Sequence, residues 1–238
     1  STPIKSSAAS DVYKRQILHR SGKNNWTVIR PYITYSEIRL QLGVLEKELW
    51  LYRALNGRTI VFSKDIAEKS TTLTYGYDVA LGIASIIGKE TAFGEAFHIT
   101  SDESYTWKEI LEIYLDTIEK KTGMRPKVLL LDKSPHLEWI GAKWQVILDR
   151  YYNRRFDNSK IQQYIDTSQF VRTESGLISC LESFLCHPQF KKMGWGIQGT
   201  YDRITGEWAP FSEISIIKDC ISYLLHRTVV PPKSKLSI

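Results

Sequence analysis

Arginine is the residue type in this sequence best suited to holding a charged ligand. Arg39, Arg53 and Arg58 lie on or just after one apolar-periodic segment, and Arg154 and Arg155 stand side by side before Asp157-Asn158-Ser159-Lys160. A guanidinium carries a rigid fork of N–H donors that meets two oxygens of a phosphate at once. If Arg154 and Arg155 face a cleft, they neutralise a diphosphate; solvated charge is the plain alternative for each arginine named. Tyr35 offers a hydroxyl for a hydrogen bond, or a ring for packing. His98 sits in an apolar run and reads as a core residue with a satisfied ring rather than a base. Asp157, Ser159 and Lys160 read first as a cap and helix start. The five His and three Cys show no metal-ligand spacing and no C-x-x-C pair. No catalytic residue and no metal ligand is assigned.

These side chains need elements to aim them. Trp26-Thr27-Val28-Ile29-Arg30 is a β-branched apolar run ended by Pro31, the pattern of a buried parallel strand. Ile38, Leu42, Leu45, Leu49 and Tyr52 recur at three and four residues, which predicts one helix over 36–55, with Ser36 as its cap. Short strands are expected at 59–62, 71–75, 96–100 and 128–131. Asp78 is expected to open a helix that Gly88 closes, and to brace a neighbouring loop. Thr106-Trp107-Lys108-Glu109 is a capping box ahead of another helix, which Gly123 ends. Helical segments are expected at 137–151, 158–164, 176–184 and 212–225. The Trp residues after Met193 are expected to pack the last part of the chain. Strands alternating with helices predict an α/β fold.

The chain has 238 residues, 42% hydrophobic and 24% charged, enough for a packed core. A formal charge of +6 favours anionic ligands, but the basic residues are scattered and form no nucleic-acid motif. Nucleic acid is not expected as a partner. Three cysteines in a chain of this length point to reduced thiols and a cytoplasmic setting. No apolar run approaches the roughly 20 residues that span a bilayer, so no membrane partner is expected. Residues 1–16 show no periodicity and are expected to be irregular and foreign to the native sequence. Expected units are 17–132, with the strands, a helical part at 133–230, and a polar tail at 231–238.

Three stretches, in order, carry a likeness. Trp26-Thr27-Val28-Ile29-Arg30-Pro31-Tyr32-Ile33-Thr34-Tyr35 resembles the strand-end motif of extended short-chain dehydrogenases, in which Arg-Pro precedes a Tyr four residues on. Thr74-Tyr75-Gly76-Tyr77-Asp78-Val79-Ala80 is similar to their strand running into Asp-Val-Ala. Phe97-His98-Ile99-Thr100 with Tyr105-Thr106-Trp107-Lys108-Glu109-Ile110 resembles the strand and capped helix that come next. A weaker match is Arg155-Phe156-Asp157-Asn158-Ser159-Lys160-Ile161, like an Asp-x-Ser-Lys helix near the substrate diphosphate. Together they cover about two-thirds of the chain, 17–184. The resemblance is to the NAD-dependent epimerase/dehydratase family.

That resemblance implies the C-terminal part of a Rossmann-like doubly wound parallel sheet with a mainly helical substrate-binding subdomain. It implies NAD or NADP as cofactor, lined by Pro31, Tyr32 and Ile33, and a nucleotide-sugar substrate met by Tyr35, Arg39, Arg58, Arg154 and Arg155. A homodimer is implied for the intact enzyme. Ile33 stands where many members carry an Asn that touches the sugar, and it cannot make those hydrogen bonds. No predicted strand runs into a G-x-G-x-x-G turn, the place the family uses for its cofactor, and Tyr13 is followed directly by Lys14 rather than by a Lys four residues on. Adjacent residues point to different helix faces, so this is no catalytic Tyr-x-x-x-Lys pair. The chain is therefore expected to be the substrate-binding part of an N-terminally truncated epimerase or dehydratase, inactive alone, poorly soluble and weak in binding NAD. A non-catalytic binding or regulatory protein of the same fold is the alternative.

Overall fold

The computed structural model describes residues 7–138 and 140–229. A first helix, α1 (Ser7–Arg20), leads through Gly22, at φ 66°, to β1 (Val28–Arg30) and β2 (Ile33–Tyr35). Then come α2 (Lys47–Leu55), β3 (Ile60–Ser63), α3 (Lys64–Ala67), β4 (Ser70–Thr71), β5 (Leu73–Tyr75) and α4 (Gly76–Ile86). Next are β6 (Ala96–His98), β7 (Tyr105–Thr106), α5 (Trp107–Thr122) and β8 (Val128–Leu131). The remainder is helical: α6 (Ile140–Gln145), α7 (Thr173–Cys186), α8 (Trp195–Thr205) and α9 (Ile217–Leu224). The fold is α/β, of the Rossmann-like kind.

Three strand pairs are parallel, as the apolar runs predict. β1 lies against β6, with Arg30 opposite His98; β2 lies against β5; β3 lies against β8. The short β4 and β7 pair antiparallel. Each pairing is two-stranded. The main core runs through β2, β3, α2, α5 and α7, where Trp50 stacks on Tyr114 at 4.7 Å. A second cluster joins α4 and β6, and a third fills the C-terminal helices around Trp195 and Tyr223.

Local signals and structure agree at α5. Thr106 accepts from the Glu109 N–H, the Glu109 carboxylate accepts from the Thr106 N–H, and Gly123 closes the helix at φ 75°. They part at 36–46. Ser36 pairs with Arg39 and Leu42 with Leu45 across two tight turns, so the helix begins only at Lys47. Leu42 and Leu45 are buried by the second turn, where Gly43 adopts φ 60° against the Phe62 ring. Ile38, the first of the helical series, lies on the surface. Three- and four-residue apolar spacing is also what consecutive tight turns produce.

The segment expected as one helix at 137–151 divides into a 3-10 turn (Pro135–Glu138), α6 and a π-helical turn (Val146–Arg150). At 158–164 only a 3-10 turn, Ile161–Gln163, forms. The irregular opening expected to Gln16 is helical from Ser7; residues 1–6 and the tail 231–238 lie outside the described residues. α8 was not expected, because Gly196 and Gly199 lower helix propensity. Here Gly199 lets two helices touch: a Cβ on it would lie 2.4 Å from the Tyr223 carbonyl oxygen of α9.

Candidate functional site

Ligands of open α/β sheets sit at the carboxyl ends of parallel strands, where neighbouring connections diverge. In this chain that place is the end of β1 and β6. Pro31 cannot donate to a ladder, so β1 stops there. Two residues later Ile33 begins β2, which pairs with β5 instead. The chain therefore changes partners across Pro31, Tyr32 and Ile33. Pro31 is exposed, Tyr32 half-buried and Ile33 buried.

Tyr32 anchors this crossing. Its hydroxyl donates to Asp149 Oδ1 at 2.7 Å and accepts from Arg150 Nη1 at 3.3 Å, and its ring meets Phe156 at 4.7 Å. Burial raises the phenol's pKa far above its ordinary value, opposed by the nearby Arg150. Arg150, itself buried, donates to the Gly43 carbonyl at 2.9 Å and pairs with Asp149. Arg154 donates to the same Asp149 through Nε at 2.9 Å and to the Leu148 carbonyl at 2.6 Å. The sequence reading missed Asp149 and Arg150, since it placed them on an ordinary helix.

Beyond β6 the chain turns through Ser101 and Asp102, and the Arg154–Asn158 strand of loop lies across it. Asn158 ties the two together: it donates to the Thr100 carbonyl at 2.6 Å and to Asp102 Oδ1 at 2.7 Å, and accepts from the Thr100 hydroxyl at 3.1 Å. The other Asp102 oxygen accepts from Thr167 at 2.6 Å. A cavity of about 280 Å3 remains, lined by Ser101, Asp102, Ser104, Arg155 and Phe156. Its size suits one phosphate or sugar ring. Asp102 is occupied by its two donors, whereas Arg155 is exposed and has no ion-pair partner among the described residues. A cation, hydroxyls and one aromatic ring suit an anionic or polyhydroxylated ligand. His98 faces Phe156 at 5.2 Å, and its buried Nδ1 lacks a hydrogen-bond partner, so this ring is not the satisfied core residue expected.

The other expected ligand residues are placed elsewhere. Tyr35 is 2% exposed and its hydroxyl has no partner. It butts against α7 at Gly176, where a Cβ would lie 2.0 Å from that hydroxyl. Arg39 is on the surface and pairs with Glu46 at 3.5 Å. Arg58 is buried, donating to Asp202 at 3.3 Å and Glu213 at 3.0 Å. Arg53, fully buried, bonds Asp202 at 2.6 Å and Glu207 at 2.9 Å. These two arginines tie α2 and β3 to the C-terminal helices. Asp78 sits in the first turn of α4 without capping it, and its Oδ2 accepts from the Val171 N–H at 2.9 Å, the loop brace expected.

No family model and no curated protein matches this chain. Solved structures do. The UDP-glucuronic acid 4-epimerase of Bacillus cereus, determined with UDP-glucuronic acid and NAD, is 17% identical at TM-score 0.54, over 74% of this chain and 50% of that one. The UDP-glucose 4-epimerase of Thermotoga maritima, with UDP-glucose, is 18% identical at 0.51, over 76% and 52%. The dTDP-glucose 4,6-dehydratase of Bacillus anthracis, with NAD, is 16% identical at 0.54, over 79% and 53%. The chain spans about half the length of the solved structures it matches. At these identities the likeness establishes the fold.

Proposed function

We propose that this chain forms the substrate-binding portion of an NAD-dependent nucleotide-sugar epimerase or dehydratase. The observation that carries this reading is the cavity beside Arg155 at the carboxyl end of β6, next to the Pro31–Ile33 crossing. Arg155 is the group proposed to hold a phosphate of the substrate, with the Ser101 and Ser104 hydroxyls beside it. Arg154 and Asp149 hold the loop that presents it, and Tyr32 holds Asp149. Tyr35, Arg39 and Arg58 serve the framework in this reading: one packs α7, one pairs on a surface turn, one joins a buried ion network.

The fold is one that holds NAD, which when bound would take a hydride from the sugar and return it. The backbone of Pro31, Tyr32 and Ile33 offers one edge for it. The G-x-G-x-x-G spacing at Gly194–Gly199 opens α8 with no strand before it, and α9 and the turn after it pack against Gly196 and Gly199, so it is not the strand-to-helix turn that cradles a pyrophosphate. No step of hydride transfer is assigned to this chain's residues.

Thermal melts with UDP-glucose, UDP-glucuronic acid, dTDP-glucose and NAD, singly and in pairs, test the reading. A ligand that binds only the folded state adds about 2.7 kcal/mol at a hundred times its Kd. Stabilisation by a nucleotide sugar, lost in Arg155→Ala, is the expected outcome. A folded chain that answers to no nucleotide sugar sinks the reading.

A further inference from the structure

We infer that a second cavity, between α8, α9 and the flank of α2, binds a zwitterionic α-amino acid with an apolar side chain. It measures about 570 Å3, inside the roughly 300–1,000 Å3 of small-molecule sites. It is separate from the Arg155 cavity and shares no lining residue with it. Leu49, Met193, Trp195 and Ile197 provide an apolar wall. Gly194 and Gly196 stand on its lining where any side chain would narrow it; a Cβ on Gly196 would already lie 2.9 Å from Ser222 Oγ.

The polar groups of the lining carry both signs. Asp219, Ser222 and His226 follow one another at three- and four-residue steps along α9 and the turn after it, so they share a face. His226 Nδ1 lies 2.8 Å from the Ser222 carbonyl oxygen, which can only accept, so Nδ1 carries the hydrogen. In the neutral ring Nε2 is then an acceptor. Asp219 and His226 thus offer acceptors for an ammonium group. Lys192, on the segment before α8, offers a cation for a carboxylate. Lys192 and Asp219 form no ion pair with each other or with any other described residue, though they line one cavity. A ligand bearing a single charge leaves one of them unanswered; an α-amino acid answers both, and its side chain takes the apolar wall.

Calorimetric titration of the full chain with L-tryptophan, tryptamine and indole-3-propionate separates the charges on one ring. Tryptophan binds most tightly of the three. Asp219→Asn weakens tryptophan and tryptamine at least about tenfold and spares indole-3-propionate. Lys192→Ala weakens tryptophan and indole-3-propionate by a similar factor and spares tryptamine. Neither side chain is in the core, and a cooperative melt confirms that each variant is folded. Absence of tryptophan binding to the folded wild-type chain overturns the inference. So does tighter binding of either singly charged analogue, or an affinity indifferent to both substitutions.

Discussion

Arg58 and Arg155 look alike in the sequence, each a cation beside a turn, yet one is sealed among carboxylates and the other opens on a cavity. Their substitutions should separate accordingly. Arg155→Ala should leave the melting temperature within about a degree, as surface changes usually do, and weaken nucleotide-sugar binding by about tenfold or more, read by titration. His136 gives a pH signature at the same scale. It is 4% exposed, its Nε2 lies 2.7 Å from the Tyr201 hydroxyl, and burial lowers its pKa from 6.5 to about 3. The unfolded chain therefore takes up a proton that the folded chain refuses. Stability from this group is complete above pH 6.5 and drains as pH falls toward 3, by up to about 1.4 kcal/mol per unit. Urea melts from pH 7.5 to 5 should show that slope, and His136→Gln should flatten it.

At the scale of elements, helix contacts rest on absent side chains. Gly199→Ala sets a methyl 2.4 Å from backbone of α9, which cannot swing aside. Gly176→Ala sets one 2.0 Å from the Tyr35 hydroxyl. Overpacking of this kind costs about 1–3 kcal/mol. Chemical denaturation should find Gly199→Ala the worse of the two, because Tyr35 is a side chain and can shift. Thr106→Ala removes one half of the α5 capping box and should cost about 1 kcal/mol. The capping box was legible because its two partners are three residues apart. α8 was not, because its glycines look like breakers until α9 is laid against them.

The whole molecule is held by the buried cluster in which Arg53 and Arg58 share Asp202, with Glu207 and Glu213 at its edge. Tyr223 adds a hydroxyl bond to Asp202 at 2.7 Å. Removing one partner of a buried pair strands the others, at about 3–5 kcal/mol. Asp202→Ala should therefore melt far below the wild type, or yield no soluble chain. Asp202→Asn, which retains a carbonyl acceptor for one guanidinium, should fall between.

Patterns that close within a few residues were readable from the chain: the apolar runs of β1, β3 and β8, Pro31 ending a strand, the Thr106–Glu109 box, Gly123 ending α5. Each depends on backbone geometry and neighbours at short separation, so the residue types carry the information themselves. The parallel α/β class follows from their alternation. The fates of the polar side chains do not. Arg58 meets Asp202 across 144 positions, Asn158 meets Thr100 across 58 and Tyr32 meets Asp149 across 117. A guanidinium or amide is equally at home in solvent, on a ligand or in a buried network. Its partner is chosen by how distant segments pack, which no local spacing records.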